Sequence, residues 1–475
     1  MMDIDRRLFL AGVASTAVAA KAAFAAPLPS GKPLVNPLVR QRADAQVFRH
    51  DDGQYYLTGS VPEYDRLVLR RSKTLAGLAT AQERILWRHL PNGPLSGFIW
   101  APELHKIDNQ WIMYFAAGPS GGGEDVFRIR TWAIVCDGPD PMKGNWSLLG
   151  QFQAPWDSFN LDSTSFVHRG TRYFCWAQRE PGIETNSNLY LAPLETPLTL
   201  AANATRLTVP TLDWEIQGYK VAEAPALLAR NGRLFITYSA SATDARYCLG
   251  MLTAADDADI MDPNVWTKSP EPVFTTSKAT NVYGPGHNSF TVDEEGRDIL
   301  VYHGRDYEAI TGDPLFDPNR HTRVQRLYYK ADGSPDFGIP VGNGPLPDRF
   351  SPVDQPGAFI YHDGDSVKVG QGPLPTSQFR QVPGTAGSGS VSLVPLDAPD
   401  RAFAIGSDGA VVLAKADESS AFAKRSNFVR REVGKDYVCF EEIGNPGRQL
   451  ISRDGALQMQ TARHGGSGLG TFKIS

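Results

Sequence analysis

The sequence predicts an all-β chain made of two repeat arrays, five units and then three, and three observations predict it. Composition is the first: 45 glycines and 35 prolines in 475 residues favour turns over long helices, while 41% hydrophobic and 10% aromatic residues can fill a large core. The second is a fivefold spacing. Asp44, Trp100, Asp162, Glu223 and His287 recur at intervals of 56 to 64 residues, and eleven residues after each an apolar strand begins, at Tyr55, Trp111, Tyr173, Leu234 and Asp298. The third is a weaker threefold repetition of about 45 residues beyond Phe350.

Taken in chain order, Asp5-Arg6-Arg7 precedes an apolar run from Leu8 to Ala20 and then Ala23-Phe24-Ala25. Charged, apolar and small residues in that order read as an export signal over residues 1–25. The run is shorter than the ~20 residues a membrane helix needs, so no membrane span is expected. Arg6-Arg7-Leu8-Phe9-Leu10 resembles a twin-arginine signal, which implies a periplasmic or secreted protein. Each of the five units then carries a turn just before its strand: Asp52-Gly53, Asp108-Asn109, Arg169-Gly170, Asn231-Gly232 and Glu295-Gly296. Each unit is thus a hairpin with one or two further strands. Five such sheets predict a five-bladed β-propeller over residues 33–345. The anchors should begin the innermost strands, so that five side chains converge at the mouth of the central channel.

Residues 346–357 hold three prolines and a glycine and read as a linker. Beyond it, three alternating hairpins turn at Asp363-Gly364, Asp408-Gly409 and Asp454-Gly455, and an aromatic follows each, at Phe379, Phe422 and Phe472. That pattern predicts a β-trefoil over residues 358–475. The four cysteines (Cys136, Cys175, Cys248, Cys439) have no paired spacing and read as buried thiols, with a bridge such as Cys136–Cys175 left open.

Charge excludes a class of partner. With 47 basic and 52 acidic residues the chain lacks the basic excess that nucleic-acid binding requires. It also has no metalloprotease HExxH, phosphate loop, GxSxG elbow or dinucleotide fingerprint, and its Gly465–Gly470 run precedes no helix. What remains is acid chemistry. Glu223 sits in Val221-Ala222-Glu223-Ala224-Pro225-Ala226 with no basic neighbour nearer than Lys220, and burial without a cation keeps a carboxyl protonated near neutrality. Asp44 lies near Arg42, a more polar setting that favours the ionised form. Two carboxyls in opposed states across one pocket point to glycosidic bond hydrolysis.

At residues 33–345 these motifs resemble glycoside hydrolase family 43: Asp44, Trp100-Ala101-Pro102-Glu103, Asp162-Ser163, Glu223-Ala224-Pro225 and Gly286-His287-Asn288. The resemblance implies a five-bladed propeller in which Asp44 is the general base, Glu223 the general acid and Asp162 an ionised neighbour that tunes and orients the acid. It also implies that Arg320, Trp100, His287 and Asn288 contact the sugar, with Tyr283 and Phe98 shaping the pocket. No cofactor is required, although some family members hold calcium on the axis, which His287 would reach through water.

The Trp-Ala-Pro-Glu-Leu-His segment and the added trefoil are most similar to the family's exo-acting α-1,5-L-arabinofuranosidases. The trefoil resembles carbohydrate-binding module family 42, but of that module's histidines only His362 remains. The expectation is an inverting exo-α-L-arabinofuranosidase acting as a monomer on arabinose-containing oligo- or polysaccharide. The alternatives are a β-xylosidase of the same family and a non-catalytic sugar-binding protein.

Overall fold

The computed structural model describes residues 33–120, 125–461 and 470–475; the expected export signal and most of the Gly465–Gly470 run lie outside them. Five separate antiparallel sheets come first. They begin with strands Ala43–Arg49, Gly97–Ile107, Asn160–His168, Ala222–Arg230 and Tyr283–Val292, and within each sheet the strands pair in chain order. These first strands contact one another in sequence and the fifth returns to the first, so the sheets form a closed ring of five blades with the first strands innermost. The hairpin turns are as the sequence predicts. Asp108-Asn109, Arg169-Gly170 and Asn231-Gly232 all have positive φ at both residues, the type I′ geometry that matches the twist of the flanking strands.

The fifth blade has only three strands of its own, and the segment before the first blade completes it. Leu38 and Val39 donate to the Thr322 carbonyl, and Thr322 donates back to Val39. The Asn36 side chain caps this seam: its Nδ2 donates to the Val324 and Val341 carbonyls and its Oδ1 accepts from Val324 N–H. Beneath it, Leu38, Val39, Val47, Leu57, Val301 and Val324 form one buried cluster spanning the first and last blades. Joining the two ends of the ring this way leaves no open sheet edge where the array starts and stops.

From Phe350 onward the strands form a single twelve-stranded curled sheet, the architecture of a β-trefoil. Its three hairpins are Phe359–Asp363 with Ser366–Gly370, Arg401–Ile405 with Val411–Lys415, and Arg448–Arg453 with Ala456–Thr461. Its core holds Phe350, Phe379, Phe403, Phe428, Phe440 and Phe472, all fully buried. Two sequence expectations need correction here. Phe350–Pro352, inside the expected linker, is a strand paired with Phe472–Ile474, so the trefoil sheet begins before residue 358. The second repeated aromatic is Phe428 rather than Phe422. The helix Ser420–Ser426, capped by the Ser419 hydroxyl, carries Phe422 into a separate cluster with Ala402 and Ala404. All four cysteines are buried and free. Among the described residues no helix is long and apolar enough to cross a membrane.

Candidate active site

The five innermost strands share one defect. Each ladder slips by a residue, between Ala43 and Gln46, Trp100 and Glu103, Leu161 and Ser163, Glu223 and Ala226, and Gly286 and Ser289. Inside each slip lies a non-glycine residue with left-handed backbone: Asp44, Ala101, Asp162, Ala224 and His287. A bulge re-aims side chains and ends the pairing, and a left-handed non-glycine residue costs of order 1–3 kcal/mol. The same strained step is thus built five times at one end of the channel.

This corrects the register of the repeats. Asp44, Asp162 and His287 occupy the left-handed position itself, whereas Trp100 and Glu223 precede it by one residue and are followed by Ala-Pro. All five side chains nevertheless line one cavity of about 220 Å³, together with Arg320 and Tyr247. Its remaining wall is largely apolar, with Val126, Phe127, Phe159, Tyr219 and Leu315.

Asp44 is the carboxyl with the most partners. Ser60 Oγ donates to its Oδ2 at 2.5 Å, Arg320 Nη1 donates to Oδ1 at 3.3 Å, and His287 Nδ1 lies 3.4 Å from Oδ1. Burial alone would raise its pKa, but the Arg320 guanidinium outweighs burial and holds it well below the usual carboxylate range. The cation foreseen for this role was Arg42; that side chain instead forms a forked pair with Glu83. Arg320 is buried, and Tyr64 Oη accepts from its Nη2 at 2.8 Å. Behind Asp44, His303 Nδ1 accepts from the Asp44 backbone N–H at 3.1 Å. Burial brings the His303 ring down to about 4, so it stays neutral with its proton on Nε2.

Glu223 has the opposite environment. Burial raises its pKa to about 7; Asp44 adds to the rise, while a 2.7 Å hydrogen bond from Tyr247 Oη to Oε1 opposes it. Asp162 is also pushed well above the usual range, first by burial and then by Glu223 and Asp44. The expectation of an ionised Asp162 is therefore corrected. Two buried carboxyls without a cation of their own repel each other's charge, so the pair retains protons near neutrality. His287 Nδ1 lies 3.8 Å from Asp162 Oδ2, which places this imidazole between Asp44 and Asp162. Burial lowers the His287 pKa, and the ring is neutral.

Two expected sugar contacts are not in the cavity. Tyr283 opens the fifth innermost strand, paired with Arg305, and Asn288 lies behind His287 with its Oδ1 accepting from Thr237 Oγ1 at 2.8 Å. Neither lines the pocket. Phe98 supports Trp100 edge-on at 5.1 Å. Sequence reasoning missed Ser60, Tyr64, Tyr247 and His303. The only signal was a histidine inside the apolar run Asp298–Arg305.

Calcium on the propeller axis is not supported. No group of three or more His, Cys, Asp or Glu among the described residues is arranged to hold a metal.

His362 lies in the trefoil, where its Nε2 meets Asp397 Oδ1 at 2.8 Å.

Comparison with known proteins agrees with this geometry. Residues 34–335 match the family described as glycosyl hydrolases family 43. The chain is 48% identical over 399 residues to the extracellular exo-α-(1→5)-L-arabinofuranosidase of Streptomyces avermitilis, covering 83% of this chain and 82% of that one. It is 44% identical over 473 residues to alpha-L-arabinofuranosidase 43 of Humicola insolens, covering 95% and 98%. The crystal structure of an α-L-arabinofuranosidase from Lactobacillus brevis superposes with a TM-score of 0.64 at 50% identity, covering 65% of this chain and 98% of that one. The chain belongs to glycosyl hydrolase family 43.

Proposed function

We propose that the protein is an exported, exo-acting α-L-arabinofuranosidase that hydrolyses arabinan or arabino-oligosaccharides with inversion. The observation that carries the reading is the opposite polarisation of two carboxyls in one cavity, Asp44 held ionised by Arg320 and Glu223 held protonated by burial. Asp44 then acts as general base on a water, and Glu223 protonates the departing glycosidic oxygen. Asp162 shares protons with Glu223 and keeps it an acid near neutrality. Trp100, His287 and Arg320 line the place where the terminal sugar sits. An intact acid set of this kind has no purpose in a non-catalytic binding protein.

The choice of arabinofuranose over xylose is supported by the names of the relatives, which also favour export. The twin-arginine address and a monomeric state remain part of the proposal. In this reading residues 33–345 are the catalytic domain. The trefoil holds sugar polymer through His362, whose second ring nitrogen is buried without a partner. Turnover of 4-nitrophenyl α-L-arabinofuranoside against the β-D-xyloside tests the assignment. Faster hydrolysis of the arabinoside supports it; preference for the xyloside makes the protein a β-xylosidase, and no turnover of either leaves a binding protein.

A further inference from the structure

The segment between the second and third strands of the fourth blade, residues 241–247, turns inward and delivers one side chain to the acid. Tyr247 is 2% exposed, and its hydroxyl donates to Glu223 Oε1 at 2.7 Å. Its ring lies flat against His303, with centroids 5.6 Å apart and planes within 5°. His303 in turn accepts the backbone N–H of Asp44. One stacked pair therefore touches the acid on one side and the base on the other.

The fifth blade is shaped to admit this ring. A Cβ on Gly286 would lie 2.3 Å from the Tyr247 ring, and a Cβ on Gly284 would lie 2.2 Å from the Asp244 carbonyl oxygen. Any side chain at Gly286 displaces Tyr247, because a packed aromatic ring has no room to yield. Gly284 is already required by its left-handed backbone at φ +60°, whereas Gly286, which has no such requirement, has its reason in the fourth blade.

We propose that Tyr247 is a positioning residue that fixes the Glu223 carboxyl and, stacked on His303, ties the acid to the base, with Gly286 kept as glycine to admit it. The inference rests on the acid role proposed for Glu223. The groups facing Glu223 are Asp44 from the first blade, Asp162 from the third, Arg320 from the connection between the second and third strands of the fifth, and Tyr247. Of these, only Arg320 and Tyr247 favour its ionised form. Burial and the neighbouring carboxyls keep Tyr247 itself protonated, so it is a permanent donor. Loss of its hydroxyl leaves burial and Asp44 less opposed, which raises the Glu223 pKa and weakens the acid.

The test is the pH dependence of kcat/KM for Tyr247→Phe, Gly286→Ala and Glu223→Gln in the full chain. Phe keeps the ring on His303 and removes only the hydroxyl. The alkaline limb reports loss of the acid's proton. In Tyr247→Phe it moves to higher pH, kcat/KM on α-1,5-linked arabinotriose falls about tenfold or more, and 4-nitrophenyl α-L-arabinofuranoside is nearly unaffected. Gly286→Ala reproduces both effects. An unmoved or lowered limb in Tyr247→Phe, with the limb abolished in Glu223→Gln, overturns this inference alone. A limb that survives Glu223→Gln overturns the acid assignment and this inference with it.

Discussion

The propeller and the trefoil are both built by repeating a hairpin, yet they place opposite kinds of residue where the repeats converge. At the centre of the trefoil stand six phenylalanines, all fully buried, with Phe379 and Phe403 edge to face at 4.8 Å. At the mouth of the propeller channel stand Asp44, Asp162 and Glu223, on strands that each carry a left-handed residue. The first arrangement stabilises its fold, because aromatic burial is worth several kcal/mol per ring. The second destabilises it, because buried like charges and strained backbone both oppose folding. Repetition therefore supplies positions, and the chemistry placed at them decides whether a region carries stability or function.

The largest expected effect lies at the channel mouth. Asp44→Ala lowers kcat/KM by ~10²–10⁴-fold on every substrate, because the base is needed whatever group departs. Glu223→Ala produces a loss of that order only on natural oligosaccharides; a substrate with an acidic leaving group needs little protonation and loses much less. Equal losses on both substrates would remove Glu223 from the acid role. In the trefoil the signs reverse. Phe403→Ala is expected to destabilise that region by roughly 3–5 kcal/mol, read by denaturant unfolding, while small-substrate turnover in the folded protein is unchanged.

The pH behaviour sharpens the contrast. Glu223 must be protonated and Asp44 ionised, so activity falls on the alkaline side near pH 7 and persists on the acid side below the ordinary carboxylate range. Stability follows the raised pair in the opposite sense to most carboxylates. Glu223 and Asp162 bind protons more tightly folded than unfolded, so their contribution is present below the unfolded carboxylate pKa and is lost as pH rises toward 7. Asp162→Asn removes part of that decline, which thermal unfolding across the same window measures. The smallest effect belongs to the trefoil: His362→Ala leaves soluble-substrate kinetics unchanged and lowers only retention on insoluble arabinan.

Much of this was legible in the sequence because the period was legible. Turn pairs such as Asn231-Gly232 and the apolar strands after them located every blade, and the anchors pointed to the right end of the channel. The register was not legible in the second and fourth blades, since a bulge changes which residue faces the pocket without changing the spacing noticeably. Arg42 was nearer in sequence to Asp44 than Arg320, yet closure of the ring brings Arg320 in from the fifth blade, which adjoins the first. Tyr247 and Ser60 carry no motif of their own; they reach the acids only through long-range packing. Phe428 was obscured by a short helix that carries a second phenylalanine into the expected place.

The central claim is that Asp44 activates a water while Glu223 protonates the leaving group, with no covalent intermediate. An inverting site needs ~6.5–9.5 Å between its carboxyls to leave room for that water, whereas a retaining nucleophile must touch the sugar. Asp162, which titrates with Glu223, is the rival nucleophile. Proton NMR of the first sugar released from an α-linked arabinofuranoside, read before mutarotation, distinguishes the two. The account predicts the β-anomer; appearance of the α-anomer would contradict it.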